Sequence, residues 1–157
     1  MAELQSVTGL KELQKALSEL PKNIAKNVLR GAVNAGASVI RKEVSVRAPV
    51  YTGPVSKGHP PPGTLKRAIY QKQIRERSTA QKQTFFVGVR QGKSAKKTKK
   101  GMVDAFYARF VEFGTAKQVA KPFMRPAFES KKVASVDAIK EYLTKRIPDE
   151  VDKLARK

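Results

Sequence analysis

An α+β fold is what this sequence predicts: N-terminal helices, a small antiparallel sheet of two to four strands, a short helix and a C-terminal helix. Three observations carry it. Leu10, Leu13, Leu17 and Leu20 recur at the 3, 4, 3 spacing of one helical face. Phe85, Val87 and Val89 alternate within a run of aromatic and β-branched residues, as the core face of a strand does. Helical spacing then returns with Val133, Val136, Ile139, Tyr142 and Leu143.

In chain order, the leucine face defines a first helix, for which Ser6 and Thr8 are available as N-caps. Pro21 interrupts it. Because proline is comfortable in the first turn of a helix, it marks the start of a second one that runs to about Arg47. Ile24, Val28, Ala32, Ala35, Val39 and Ile40 give that helix its apolar spacing, and Gly31, Ala32, Ala35, Gly36 and Ala37 form a small-residue stretch against which another element can pack closely. Residues 48–63 carry five prolines and three glycines, so helix cannot continue, and the run Pro60, Pro61, Pro62 favours an extended polyproline conformation. Residues 65–77 read as a helix-like turn passing into a strand, extended over 69–74, with 84–90 as its antiparallel partner. Residues 91–101 form a basic loop of low hydrophobicity. Asp104 is placed to cap a short helix bearing Phe106, Tyr107, Phe110, Val111 and Phe113, which Gly114 ends. The last helix begins near Pro126, adds Phe128 to its apolar face, and is expected to break at Pro148 before a charged tail over about 148–157. The chain reads as one domain over 1–157, with mobile loops at about 51–63 and 91–101.

At 157 residues, 40% of them hydrophobic and 29% charged, the chain has the size and composition to bury a core of its own. Its charge is unusual: 33 Lys and Arg face 13 Asp and Glu, for a net +20. Seventeen of the cations and only two of the acids lie between residues 30 and 101. Such an excess points to a polyanion or an acidic partner protein. With no cysteine, disulfides, thiolate metal sites and a cysteine nucleophile are excluded. A single histidine, His59, excludes a catalytic triad and a multi-histidine metal site. No phosphate-loop, dinucleotide-binding, zinc-protease or nucleophile-elbow motif is present. Asp104, Glu112 and Glu129 are the only central carboxylates from which an acid-built metal site could be made, and each has a plainer reading as a helix cap or an ion-paired or solvated carboxylate. Neither an enzyme nor a cofactor is expected, and binding or assembly is the better class. No stretch approaches the roughly 18 apolar residues of a membrane span, and the first residues lack the order of a signal peptide, so synthesis and use in a cytoplasm are expected.

Ordered landmarks carry a resemblance. They are Gly9 and Leu10 leading to Leu20 and Pro21; Ala48, Pro49 and Val50 followed by Thr52 and Gly53; Thr64 and Leu65 with Arg67, Ala68 and Ile69; Val87 and Gly88; Tyr107 and Ala108 leading to Val111, Glu112, Phe113, Gly114 and Thr115; and Lys121, Pro122, Phe123, Met124, Arg125, Pro126 and Ala127. Over residues 9–145 the sequence resembles the lambdoid-phage tail-component family of long, noncontractile-tailed bacteriophages, whose members act at the neck where head and tail join. The EFGT and PFMRPA pair is its most specific part. Members pass from the Thr-Gly directly to a Leu-Arg-x-Ser-Ile type segment, whereas here residues 54–63 intervene.

The resemblance implies a structural virion protein, assembled in the host cytoplasm, that completes the tail and joins it to the head. Its implied partners are further copies of itself in a sixfold or twelvefold ring, the head connector or head-closure protein, and the tail terminator or tail-tube protein. Tyr51, Thr52, Gly53, Glu112, Gly114, Thr115, Phe123 and Arg125 fall in the segments it marks for a subunit or partner interface, although Phe113 and Phe123 also read as core residues. Glu112, set among aromatic residues, needs a cation or solvent, and Arg125 of the same or a neighbouring chain is a candidate partner. Lys93, Lys96, Lys97, Lys99 and Lys100 have three readings: contact with double-stranded DNA passing through the ring, contact with an acidic face of a neighbour, or a solvated loop. The competing class is a free-standing basic nucleic-acid-binding protein, against which stands the lack of a recognisable reading motif.

Overall fold

In the structure, a computed structural model that describes residues 9–54, 60–92, 97–98, 101–102 and 104–156, the leucine-rich segment forms α1, Leu10–Glu19, and the segment after Pro21 forms α2, Lys22–Arg47. Gly9, at φ 88°, holds the N-cap position of α1 without a side-chain cap, while Ser6 and Thr8 lie outside the described residues. The short helix α3, Thr64–Ala68, follows Gly63 and runs directly into β1, Ile69–Gln73. A single 3-10 turn, Arg75–Arg77, then returns the chain to β2, Phe85–Val89. Strands β3, Lys97–Thr98, and β4, Gly101–Met102, pair in the basic segment that the sequence presents as a plain loop. The closing elements are α4, Ala108–Phe113, and α5, Met124–Ala155.

Strands β1 and β2 are antiparallel, with Ile69 opposite Val89 and Gln73 opposite Phe85. Val87 and Val89 turn toward the core, and Phe86 on the other face lies edge-on to Tyr70 at 6.2 Å, beside an Arg90 guanidinium 5.3 Å from the Tyr70 ring. The sheet is tied to α2 by polar side chains: Arg41 Nε donates to Gln71 Oε1 at 3.1 Å, and Gln71 Nε2 donates to Asn34 Oδ1 at 2.7 Å.

Helices α2 and α5 run antiparallel, since Gly31 faces Tyr142, Gly36 faces Ser135 and Ile139, and Arg47 donates to Ser130 Oγ at 3.3 Å. The small-residue stretch permits this. A Cβ on Gly36 would meet Ile139 Cγ1 at 2.7 Å and the Ser135 carbonyl at 2.9 Å. Such close approach puts Ala127 and Ser135 of α5 in the interface and leaves Phe128 and Val133, expected on its inner face, 49% and 63% exposed. Two clusters result. Leu20, Val28, Ala32, Leu143 and Ile147 close one end around α1, and Val44, Leu65, Ile69, Ala108 and Phe123 join α2, α3, the sheet and α4 at the other.

Two expectations at helix ends are corrected. Asp104 does not cap α4; it accepts a hydrogen bond from the Gly92 N–H at 3.0 Å and so ties down the return from β2. Pro148 does not end α5, which continues to Ala155. A proline costs that helix one bond, to the Thr144 carbonyl, and the turn around it is held by buried Ile147 and by Glu150, which pairs with Arg146 at 2.8 Å and Lys153 at 3.1 Å. Among the described residues no helix is long and apolar enough to cross a membrane.

Candidate functional site

The EFGT and PFMRPA landmarks meet at the sheet end of the α2–α5 pair. Helix α4 stops at Gly114, whose φ of 77° and ψ of 179° suit glycine alone and whose missing Cβ would meet the Ala120 nitrogen at 2.9 Å. The chain then makes a tight turn, with Thr115 and Gln118 exchanging backbone hydrogen bonds at 2.9 and 3.2 Å, and comes back so that the Lys121 N–H donates to the Val111 carbonyl at 2.8 Å. This return brings Phe123 to the N-cap of α5. Phenylalanine has no side-chain acceptor, so the first amides of α5 need one from elsewhere.

Glu112 supplies it. The N–H groups of Phe123 and Met124 donate to Glu112 Oε2 at 2.8 and 3.1 Å, and that of Arg125 to Oε1 at 3.4 Å. A carboxylate is well placed there, against the positive end of the helix dipole. The partner expected from the sequence, the Arg125 guanidinium, is not the one found: Arg125 contributes its backbone, and no ion pair joins it to Glu112 among the described residues. The missing capping residue at Phe123 is the signal that would have pointed to Glu112.

Beside this clasp lies a cleft of ≈ 430 Å³. Val50 and Tyr51, Pro60 and Pro61, and Tyr107, Phe110 and Val111 of the α4 region line it, together with Thr115 and Lys121. Burial raises the Tyr107 phenol above its ordinary pKa of 10.0, against the smaller opposing effects of a backbone hydrogen bond from Leu65 and the Arg67 charge. Phe106, in the turn before α4, and Phe110 and Phe113 on it stand 58%, 49% and 71% exposed, and Val119 is 84% exposed. Among the described residues no Asp, Glu or His cluster could hold a metal ion.

The cleft therefore gathers Tyr51 and Thr115 from the sequence candidates, with Thr52, Gly53 and Gly114 next to them in the chain. Arg125 is exposed nearby at the start of α5. Phe123 is only 1% exposed, its ring set in the core. Tyr107 and Phe110, read from the sequence as one apolar helix face, form cleft wall, and only the packing of the proline segment against them reveals it. His59, Lys93, Lys96, Lys99 and Lys100 lie outside the described residues, and Lys97 lies in β3.

The family model described as "Bacteriophage HK97-gp10, putative tail-component" matches residues 11–114. The chain belongs to that family. No curated protein and no solved structure matches it. Membership makes this chain a bacteriophage tail component, a structural protein of the virion. The matched segment of the tail component runs from α1 to Gly114, and the unmatched helix α5 is held to it along α2 and, at its first turn, by the Glu112 clasp.

Proposed function

We propose that this tail component acts at the neck, where it completes the tail and joins it to the head as a ring of sixfold or twelvefold symmetry through which double-stranded DNA passes. The observation that carries the reading is the exposed aromatic surface of α4 beside the cleft, rigidly mounted on the helix pair by the Glu112 clasp in a chain of the tail-component family. Apolar patches of this kind on a soluble protein serve contacts with other proteins. Tyr51, Thr52, Gly53, Gly114, Thr115 and Arg125 then face a neighbouring copy, the head connector or head-closure protein, or the tail terminator or tail-tube protein. Lys93, Lys96, Lys97, Lys99 and Lys100 supply cations that gain from counterion release at passing DNA.

A phage lacking this gene tests the proposal. Electron microscopy of its lysate is expected to show DNA-filled heads and separate tails, restored to joined particles by a plasmid copy; joined particles without the plasmid would sink it. The net charge of +20 favours one other reading, a free-standing nucleic-acid-binding protein. Tight, steeply salt-dependent binding of the monomer to random duplex DNA, together with normal particles, would select that one instead.

A further inference from the structure

We infer that the turn of α5 carrying Asp149 and Asp152 in one copy of this chain docks at the aromatic cleft of the next copy, which deepens the ring reading above and rests on it. The cleft is a cationic site for an apolar guest. Among the described residues lining it Lys121 is the one that carries a charge, Lys117 lies in the same turn, and Arg67 acts on the Tyr107 phenol. Exposed Arg109 precedes Phe110 on α4. Its nearest carboxylate in the chain, Glu112, is occupied by the amides of α5. A guest should therefore carry apolar side chains and acids together.

The last turns of α5 have that composition. Asp149, Glu150 and Asp152 fall within four positions of a chain with only 13 acids in all. Asp149 and Asp152 are exposed and pair with no cation among the described residues. Val151 and Leu154 extend the stripe of buried Leu143 and Ile147 beyond the bundle, where they stand 48% and 38% exposed. A second copy must overcome the repulsion of two highly basic chains, and with Glu150 paired and Lys153, Arg156 and Lys157 close by in the sequence, Asp149 and Asp152 are the carboxylates this turn offers for it.

Geometry makes the contact intermolecular. The Glu112 clasp fixes the start of α5 beside the cleft, and at 1.5 Å per residue Asp149 lies about 37 Å further along the same helix. The tail cannot fold back onto its own cleft. Joining two different patches on successive copies is a heterologous contact, the kind that closes into a ring when its rotation allows.

Sedimentation of the full-length chain over a concentration series tests this. Asp149→Lys with Asp152→Lys, and Lys117→Glu with Lys121→Glu, are each expected to weaken self-association by about tenfold or more, and the chain carrying all four changes is expected to regain it. All are surface changes, and unaltered circular-dichroism melting would show that the fold is kept. The contact is overturned if either double variant associates like the unmodified chain, if the fourfold variant stays weak, or if the unmodified chain remains monomeric throughout. Association that survives both double variants removes the contact and leaves the ring, whereas joined particles from a phage lacking the gene remove the neck role itself.

Discussion

A helix that starts without a capping side chain leaves amides to be satisfied, and in α5 they are met by Glu112, eleven residues before Phe123. Three charge-assisted bonds converge on that carboxylate, so removing the charge weakens all of them together. Glu112→Gln is expected to lower unfolding free energy by about 1–3 kcal/mol in urea denaturation. Arg125→Ala is expected to stay within about 0.5 kcal/mol of the unmodified chain, because its guanidinium is not Glu112's partner. A larger loss in Arg125→Ala than in Glu112→Gln would restore the ion pair that the sequence suggested. Tyr107 gives a pH signature. Burial raises its phenol above 10.0, so the unfolded chain releases that proton first, and the contribution to stability is whole below pH 10 and is lost as pH rises through the raised value. Tyr107→Phe is expected to flatten the fall in stability above pH 10, and an unchanged alkaline slope would show that this phenol is not the group responsible.

Among the elements, α2 was legible from Pro21 to Arg47 because a proline marks its start and a proline-rich segment follows its end, both local signals. The inner face of α5 was not. Periodicity names its large residues, Phe128 and Val133, but the approach of Gly36 to Ser135 selects small ones for the interface and turns the large ones outward. The landmark pair shows the same division. Its residues stand out in the sequence, yet a carboxylate reaching backbone amides across a turn leaves no periodic trace, and the cleft exists only once residues 49–51 and 60–61 pack against α4. Gly36 tests the packing argument directly. Alanine is the better helix former by about 1 kcal/mol, but a Cβ 2.9 Å from the Ser135 carbonyl can be relieved only by moving α5. The clash should win, and Gly36→Ala is expected to lose about 1–3 kcal/mol in thermal or urea unfolding. A gain in stability would mean that the two helices separate easily.

At the scale of the whole molecule, folding gathers 33 cations and 13 acids into one particle, and two electrostatic effects then oppose each other. Ion pairs such as Lys132–Glu129 at 2.8 Å and Lys145–Glu141 at 2.6 Å stabilise it, and the hydrogen bond from Lys145 lowers the Glu141 pKa. Most join residues three or four apart on one helix, and exposed pairs such as these two are individually weak and weakened further by salt. Repulsion among the remaining charges acts the other way. At about 0.01 M salt the Debye length is roughly 30 Å, comparable with the length of α5, so cations at both ends of the bundle feel one another; at 0.15 M it shrinks to about 8 Å and only neighbours do. Because the long-range sum is the larger for a net charge of +20, screening should stabilise this protein. The melting temperature is expected to rise between about 0.01 and 0.15 M sodium chloride through screening, and to rise further in sulfate of equal ionic strength because sulfate is excluded from apolar surface. A fall over the chloride range would mean that local pairs dominate, and would remove the argument that the basic excess is held in readiness for a polyanion or an acidic neighbour.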